Sequence, residues 1–310
     1  MASFEAITSA GIAKIPVSFK KVAIMANRDF ELMDAIKTQL ELLHEIEVIS
    51  YPIDVTLSQS KFTKALQAQN AAFLLSKVTT DLQLNSRLFL AMQAAKIPTI
   101  NSIFAMHTLD TRKRTFLYLH KHCPEVLTPQ FYLSVKEAIR ALNKGKKILL
   151  KRNAHNIPKD RRFLGVAEDA KDLKLMLEGV GKDEIFLQEY MGPCENTVYK
   201  VYFIGHLAMA LKSIKLKENA FTARNENDIQ ERFELRIPLE ESYREMGQVL
   251  RMNAYGIDYV VAEDGLEYVV DVNDFPSYRG IDEALNLLCD FLIRHFLNLE
   301  GPVALQHASK

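Results

Sequence analysis

Between Ile257 and Gly280 the chain reads IDYVVAEDGLEYVVDVNDFPSYRG, and this stretch concentrates oxygen-bearing side chains on an apolar framework. An Asp-Gly dipeptide, Asp264-Gly265, separates two runs of β-branched and aromatic residues, the pattern of a β-hairpin. The expectation is that Ile257–Glu263 pairs antiparallel with Leu266–Asn273. Asp258 opens the first strand, and Asp271 and Asn273 close the second. Side chains two apart on a strand share a face, so all three groups meet at one end. Two carboxylates and an amide oxygen form a hard, oxygen-only set of the kind that holds Mg²⁺ and leaves positions for water and phosphate. The bland alternative is an acidic rim on a hairpin, and the Phe275-Pro276 that follows makes the constellation less ordinary.

Anions to match such a metal call for cations, and these are unevenly placed. From Arg140 to Arg162, Lys and Arg crowd against a single acid, Asp160. Within that segment KILLKR reads as a strand ending in Lys151-Arg152, which puts a lysine with an apolar stem at the mouth of a cleft. The loop behind it adds His155, Lys159, Arg161 and Arg162. A second window without acids, Asn196 to Lys217, carries Lys200, His206, Lys212, Lys215 and Lys217 on two candidate strands, Thr197–Ile204 and Leu207–Leu216. Two basic windows and one acidic cluster suit phosphates bridged by a divalent cation. Solvated, unrelated faces are the competing reading.

The elements that must position these groups follow from hydrophobic spacing. Lys21–Ala26, Glu47–Tyr51, Ala71–Ser76 and Ile97–Asn101 are apolar strands. Between them lie helical patterns, the first with Phe30, Met33, Ile36, Leu40 and Leu43 at helical spacing, which predicts a small parallel α/β layer ending near Phe104. Its first loop, Asn27-Arg28-Asp29, lacks the spaced glycines of a dinucleotide fingerprint. Lys77, just after a strand, reads as a solvated loop lysine. His107–His122 reads as one helix whose Arg112-Lys113-Arg114 run is a solvated face. Ser134–Lys144 has capping-box spacing and a C-terminal glycine. Glu184–Tyr190, EIFLQEY, is a strand broken by Gly192-Pro193, and the backbone of Gln188 to Met191 is placed to meet an adenine edge. Asn219–Gln230 reads as irregular, Leu239–Tyr255 as a helix ended by Gly256, and Ile281–Leu299 as a closing helix.

The chain has 310 residues, 48% of them apolar, and can bury a large core divided among two or three units. Its formal charge of zero supplies no global field to attract nucleic acid or a membrane surface. Three scattered cysteines, Cys123, Cys194 and Cys289, fit neither a zinc site nor a disulfide scaffold, and no run approaches a membrane span. Met1–Pro16 reads as a weakly ordered leader or a peripheral strand. We therefore expect a cytoplasmic globular protein whose partners include no nucleic acid and no membrane.

The order of these parts resembles the ATP-grasp superfamily, and within it the inositol-tetrakisphosphate 1-kinase family of inositol polyphosphate kinases. The strings that carry the likeness are LSKVTTD at Leu75–Asp81, LLKRNAH at Leu149–His155, FLQEYM at Phe186–Met191, VYKVYFIG at Val198–Gly205, YGIDYVV at Tyr255–Val261 and DVNDFPSYRG at Asp271–Gly280. The resemblance implies an α/β (α+β) fold of three parts, an N-terminal layer over residues 1–104, a central domain over 105–190 and a C-terminal domain over 191–310, with ATP held between the last two. It implies Mg²⁺ on Asp258, Asp271 and Asn273. Lys151, Arg112, Lys212 and the hinge Gln188, Glu189, Tyr190 and Met191 would bind the nucleotide. Lys77, His155, Lys159, Lys200, Ser277 and Arg279 would face a polyphosphorylated substrate, with Lys200 and His155 neutralising the transferred phosphate. The chain departs from the family at Ala154-His155-Asn156-Ile157-Pro158-Lys159-Asp160, where the family has Ala-His-Gly-Thr-x-Ser-His, and at Ser277, where it has glycine.

The leading expectation is thus an ATP- and Mg²⁺-dependent kinase, acting as a monomer on an inositol phosphate or similar small polyanion. The alternative is a carboxylate–amine ligase resembling the ribosomal-protein glutamate ligases of the same superfamily, and a third reading is a nucleotide sensor without turnover. The first two differ in the substrate face, where a polyanion demands a surplus of cations.

Overall fold

The computed structural model describes residues 21–50, 58–78, 82–155, 162–181, 184–192, 196–214 and 229–296. The expected leader and the candidate Lys159, with Arg161, Cys194, Lys215 and Lys217, lie outside these residues.

Strands β1 (Lys21–Ala26), β2 (Glu47–Ser50), β3 (Phe73–Lys77) and β4 (Thr99–Ile100) form a parallel sheet in the order β2-β1-β3-β4, interleaved with helices α1 (Phe30–His44), α2 (Gln59–Ala68) and α3 (Leu82–Ala95). In α1 the apolar stripe buries Met33, Ile36 and Leu40, and the terminal Phe30 and Leu43 of the expected pattern are exposed. Lys77 is the last residue of β3 and is buried rather than solvated, a correction to the loop reading.

The expected single helix at His107–His122 is instead two, α4 (Ile103–Leu109) and α5 (Arg112–His122). Thr111 is extended between them and makes an isolated β-bridge to Ala154, and its side chain accepts from the Arg114 N–H to cap α5. This break turns the start of α5 inward, so Arg112 is buried and not part of a solvated face. Then follow β5 (Phe131–Tyr132), α6 (Val135–Leu142), β6 (Ile148–Arg152), β7 (Phe163–Ala167), α7 (Ala170–Met176) and β8 (Ile185–Glu189), whose strands form an antiparallel sheet in the order β5-β8-β6-β7. Ser134 caps α6 as expected, accepting from the Glu137 N–H at 3.2 Å.

The third sheet is antiparallel in the order β11-β10-β9-β12-β13 and comprises β9 (Thr197–Ile204), β10 (Leu207–Ile214), β11 (Ile229–Phe233), β12 (Ala254–Val261) and β13 (Glu267–Asp274), with α8 (Ile237–Val249) between β11 and β12 and α9 (Ala284–Phe296) at the end. Of the expected irregular segment Asn219–Gln230, residues 219–228 lie outside the described residues, and Ile229 and Gln230 open the edge strand β11. Helix α8 stops at Val249, and Gly256 lies in β12, where a Cβ would come within 3.2 Å of Pro276 and 3.3 Å of Tyr202. Glycine at this position lets the Phe275-Pro276 turn pack down on the sheet.

The cores do not follow chain order. Val22, Ile24, Phe73 and Leu75 of the parallel sheet share one core with Tyr202, Ile204, Leu211 and the α9 residues Leu288 and Leu292. The other face of the third sheet packs Val201, Phe203, Ile257 and Val272 against Tyr243, Met246 and Leu250 of α8. The central sheet has its own core around Ile148, Leu150, Leu142, Leu173 and Leu187.

Asn101, directly after β4, joins the first sheet to the third. It is fully buried. Its Oδ1 accepts from the backbone N–H groups of Asn253 and Ala254, both at 2.7 Å, and its Nδ2 donates to the Ala254 carbonyl at 2.7 Å and to Asp274 Oδ1. Removing the amide strands two buried donors and a carboxylate, each a loss of about 1–3 kcal/mol. Asn101→Ala is therefore expected to lower the unfolding free energy by about 2–4 kcal/mol in urea titration, whereas substitution of the exposed Leu43 should change it little.

Candidate functional site

Register places the expected acidic cluster. Asp258 stands directly opposite Asp271 across β12 and β13, and Gly256 opposite Asn273, with a β-bulge immediately after Asp258. The hairpin is longer than the two-residue turn the sequence suggests: its strands end at Val261 and restart at Glu267, and Asp264 accepts from the Leu266 N–H and the Tyr268 hydroxyl. Directly opposed carboxylates repel, and each here has a cation. Lys200, opposite Asp258 on the other neighbouring strand, lies 3.0 Å from Asp258 Oδ2. Arg112 reaches Asp271 Oδ2 at 3.4 Å.

Burial would push the Asp271 carboxyl up, but Arg112, Lys151 and Arg162 outweigh it and hold the group well below the usual carboxylate range. Burial acts oppositely on the bases. It lowers His155 to about 3, helped by Arg112, so the imidazole is neutral and its 3.6 Å approach to Asp271 is not an ion pair. It also lowers Lys151 to about 8. Lys200 is pulled up against its own burial by Asp258. Four buried atoms aimed at this region have no hydrogen-bond partner: Asp271 Oδ1, Arg112 Nε, His155 Nε2 and Gln188 Nε2. Unpaired polar atoms are costly in an interior and are common where a ligand belongs. Among the described residues no three His, Cys, Asp or Glu converge to hold a metal; the side-chain oxygens that the hairpin turns to the cavity include the two carboxylates and the Asn273 amide.

The central sheet supplies the opposing wall. Strand alternation sends Lys151 inward, where Nζ donates to the Val270 carbonyl at 2.9 Å and Gln188 Oε1 at 3.3 Å. Its neighbours in sequence point outward, with Lys146 on Glu189, Lys147 on Glu168 and Arg152 on Glu184. In the Gln188–Met191 segment the N–H groups of Glu189 and Tyr190 are taken by Gln130 and Lys147 carbonyls. Met191 packs with Val198, Val260, Val270 and Tyr268 in a small apolar cluster. A flat apolar ligand group would find there a platform and, across the sheet from Val198, the unpartnered Ser213 hydroxyl.

The third wall is the carboxyl end of the parallel sheet. One cavity of about 190 Å³ is lined by Asp258, Asp271 and Asn273 and also by Arg28, Asp29, Lys77 and Asp274. Lys77 Nζ lies 3.4 Å from Asp29 Oδ2 and 5.5 Å from the centre of the Phe275 ring. Burial and the nearby Arg28 guanidinium bring its ammonium down to about 7, against the pull of Asp29 and Asp274. Arg28 is lowered by burial, and Asp274 is raised by it.

No family model and no curated protein matches the chain in sequence. Solved structures do. D-alanyl-alanine synthetase A from Vibrio cholerae aligns with a TM-score of 0.66 at 11% identity, covering 92% of this chain and 99% of its own. The ligase PsnB aligns at 0.64 and 15% identity, covering 91% and 100%. A RimK domain protein from Sphaerobacter thermophilus aligns at 0.65 and 15% identity, covering 87% and 98%. All are ATP-grasp or synthetase structures matched over nearly their whole length. The chain has the ATP-grasp fold.

On this ATP-grasp frame Lys151, Arg112, His155, Lys200, Asp258, Asp271 and Asn273 converge, and Lys77 and Ser277 line the same cavity. Arg279 is exposed and does not line it. Lys212 pairs in register with Tyr199, whereas Lys200 pairs with Leu211, so Lys212 is on the opposite face of the sheet, 2.5 Å from Glu231. Strand alternation thus turns it away from Lys200 and the cavity. Arg28, Asp29, Arg162 and Asp274 line the cavity but are absent from the sequence-derived set. The signal for two of them was available: Arg28 and Asp29 follow the first strand of a parallel layer, at the carboxyl edge where open α/β sheets bind ligands.

In the unfolded chain Lys77 titrates near 10.5, in the fold near 7. Between these values the unfolded chain binds more protons, so this group makes native stability rise with pH, and its full penalty is present below about pH 7. Lys77→Met is expected to unfold at a higher temperature than the wild type near pH 6, by the equivalent of more than about 1 kcal/mol, with the difference shrinking toward pH 10 in a melting series.

Proposed function

We propose that the chain is an ATP- and Mg²⁺-dependent enzyme that joins a carboxylate to an amine. The observation that carries this is the charge of the cavity. Among the described residues its lining cations, Arg28, Lys77, Arg162 and Lys200, are matched by Asp29, Asp258, Asp271 and Asp274, and the neutral His155 adds nothing. An inositol polyphosphate needs a surplus of cations, whereas among the described residues of the two basic windows Lys146, Lys147, Arg152 and Lys212 are each paired with a glutamate outside the cavity. PsnB, a ligase, is known with Mg and ADP. These points support the ligase reading over the kinase reading that the resemblance to inositol-tetrakisphosphate 1-kinases implies.

Mg-ATP supplies a phosphoryl group that converts a carboxylate to an acyl phosphate open to attack by an amine. The donor set suits the ion: Asp258, Asp271 and Asn273 offer oxygens only, and Asp271 Oδ1 lies buried without a partner. Lys151 and Arg112, one on the central strand β6 and one at the start of α5, would hold phosphate oxygens from the side opposite the carboxylates. The Met191 N–H and the Val198–Val260–Val270 platform would seat the adenine. Lys200, which lies 3.0 Å from Asp258, would neutralise charge on a transferred phosphoryl group. Asn101, through Asp274, keeps the end of β13 from shifting.

The assay that separates the chemistries follows both ADP and inorganic phosphate. A ligase releases them together and only when a carboxylate and an amine are both supplied, while a kinase on an inositol phosphate releases ADP alone. We expect joint release, and a turnover reduced by about 10²-fold or more in Asp271→Asn. ADP formed without phosphate across an inositol phosphate panel would establish the kinase instead, and nucleotide binding without turnover on either panel would leave a sensor.

A further inference from the structure

The parallel-sheet wall of the cavity carries a second charged cluster, separate from the carboxylate pair. Arg28 and Asp29 come from the loop after β1, Lys77 from the end of β3 and Asp274 from the end of β13. Three features set it apart from a self-satisfied salt-bridge network. The Nε of Arg28 is buried and without a partner. Asp29 occupies the N-cap of α1 but makes no capping bond with its side chain, although aspartate is among the best residues for that purpose. It turns to Lys77 at 3.4 Å, well beyond the 2.7–2.9 Å of a strong charge-assisted bond. Asp274, by contrast, is held in place by Asn101.

We infer that Arg28, Lys77, Asp29 and Asp274 form a binding site for a small zwitterion, a free amino acid whose carboxylate meets Arg28 and Lys77 and whose ammonium meets Asp29 and Asp274. The inference rests on the ligase reading and names one of its two substrates. Cations and carboxylates are present in equal number, so a ligand with one charge of each sign satisfies both without leaving a buried charge exposed to its like. A simple carboxylate leaves two aspartates facing apolar substituents, and a polyphosphate brings anions against them. The loose Lys77–Asp29 pair is the contact that a bound carboxylate would replace, and the lowered ammonium of Lys77 regains its charge when an anion arrives.

Calorimetric titration of the full chain tests this, with each common α-amino acid added in the presence and absence of Mg-AMPPNP. Probes for comparison are the deaminated acid, the decarboxylated amine and inositol hexakisphosphate. At least one amino acid is expected to bind ten-fold or more tightly than either of its single-charge analogues. Arg28→Met and Asp29→Asn should each weaken it ten-fold or more, with Mg-AMPPNP titration showing that the variants are folded. If Mg-AMPPNP binds and no amino acid does, or if the single-charge analogues or inositol hexakisphosphate bind as well or better, the site is not a zwitterion site. If an amino acid binds with these properties and Mg-AMPPNP does not, the site stands and the ATP-dependent reading falls.

Discussion

Two carboxylates directly opposite one another on adjacent strands are an arrangement a sheet ordinarily avoids. Asp258 and Asp271 hold that position on a face covered by two other sheets, and the surrounding architecture is the set of cations and dipoles that makes it tolerable. Lys200 comes from the next strand, Arg112 from a helix whose start is forced inward by a one-residue bridge, and Lys151 from the central sheet through a carbonyl freed at the bulge after Asp258. Each monovalent partner neutralises one oxygen at most. A divalent ion held by Asp258 and Asp271 would supply the further positive charge that such a pair calls for.

The apolar order of the chain was legible because it is local. Alternation in β9, β12 and β13 and the 3.6-residue stripe of α1 follow from single-strand and single-helix geometry, and so did the Asp-x-Asn spacing that places Asp271 and Asn273 together. What failed was sidedness. Lys77 and Arg112 look solvated because lysine and arginine usually are, and only the tertiary packing of β3 and of α5 reveals that they are buried. Lys212 looks like a member of a basic patch until register puts it one residue out of phase with Lys200. The edge strand β11, IQERF, has too few apolar residues to announce itself, since its pairing with β10 rests on backbone bonds and not on a buried face. Asp274 was hidden by its neighbour Asn273, and a strand that carries one polar side chain to each face in succession needs the structure to show that both faces matter.

Charge counted along a sequence differs from charge presented to a ligand. The segment from Arg140 to Arg162 is strongly basic in the chain, yet Lys151 and Arg162 reach the site while Lys146, Lys147 and Arg152 are spent on surface glutamates. Exposed pairs of that kind add little stability, but they remove cations from any long-range field that would draw in a polyanion. The cavity consequently has a polar, balanced lining beside a small apolar platform, a pairing suited to a nucleotide and a modest second substrate.

The bonds of Asn101 bear on how the molecule can move. Because they run from the parallel sheet into the backbone of β12, and because α9 buries its apolar side in the same core as α1, the first and third sheets behave as one block. The central sheet has a core of its own and meets that block through Arg112, Lys151, the contact of Phe116 with Phe186 and the cluster of Met191 with Val198, Val260 and Val270. Any movement of the central sheet against that block would change the gap between the Lys151 strand and the carboxylate hairpin, the gap that the Lys151 ammonium now spans to reach the Val270 carbonyl.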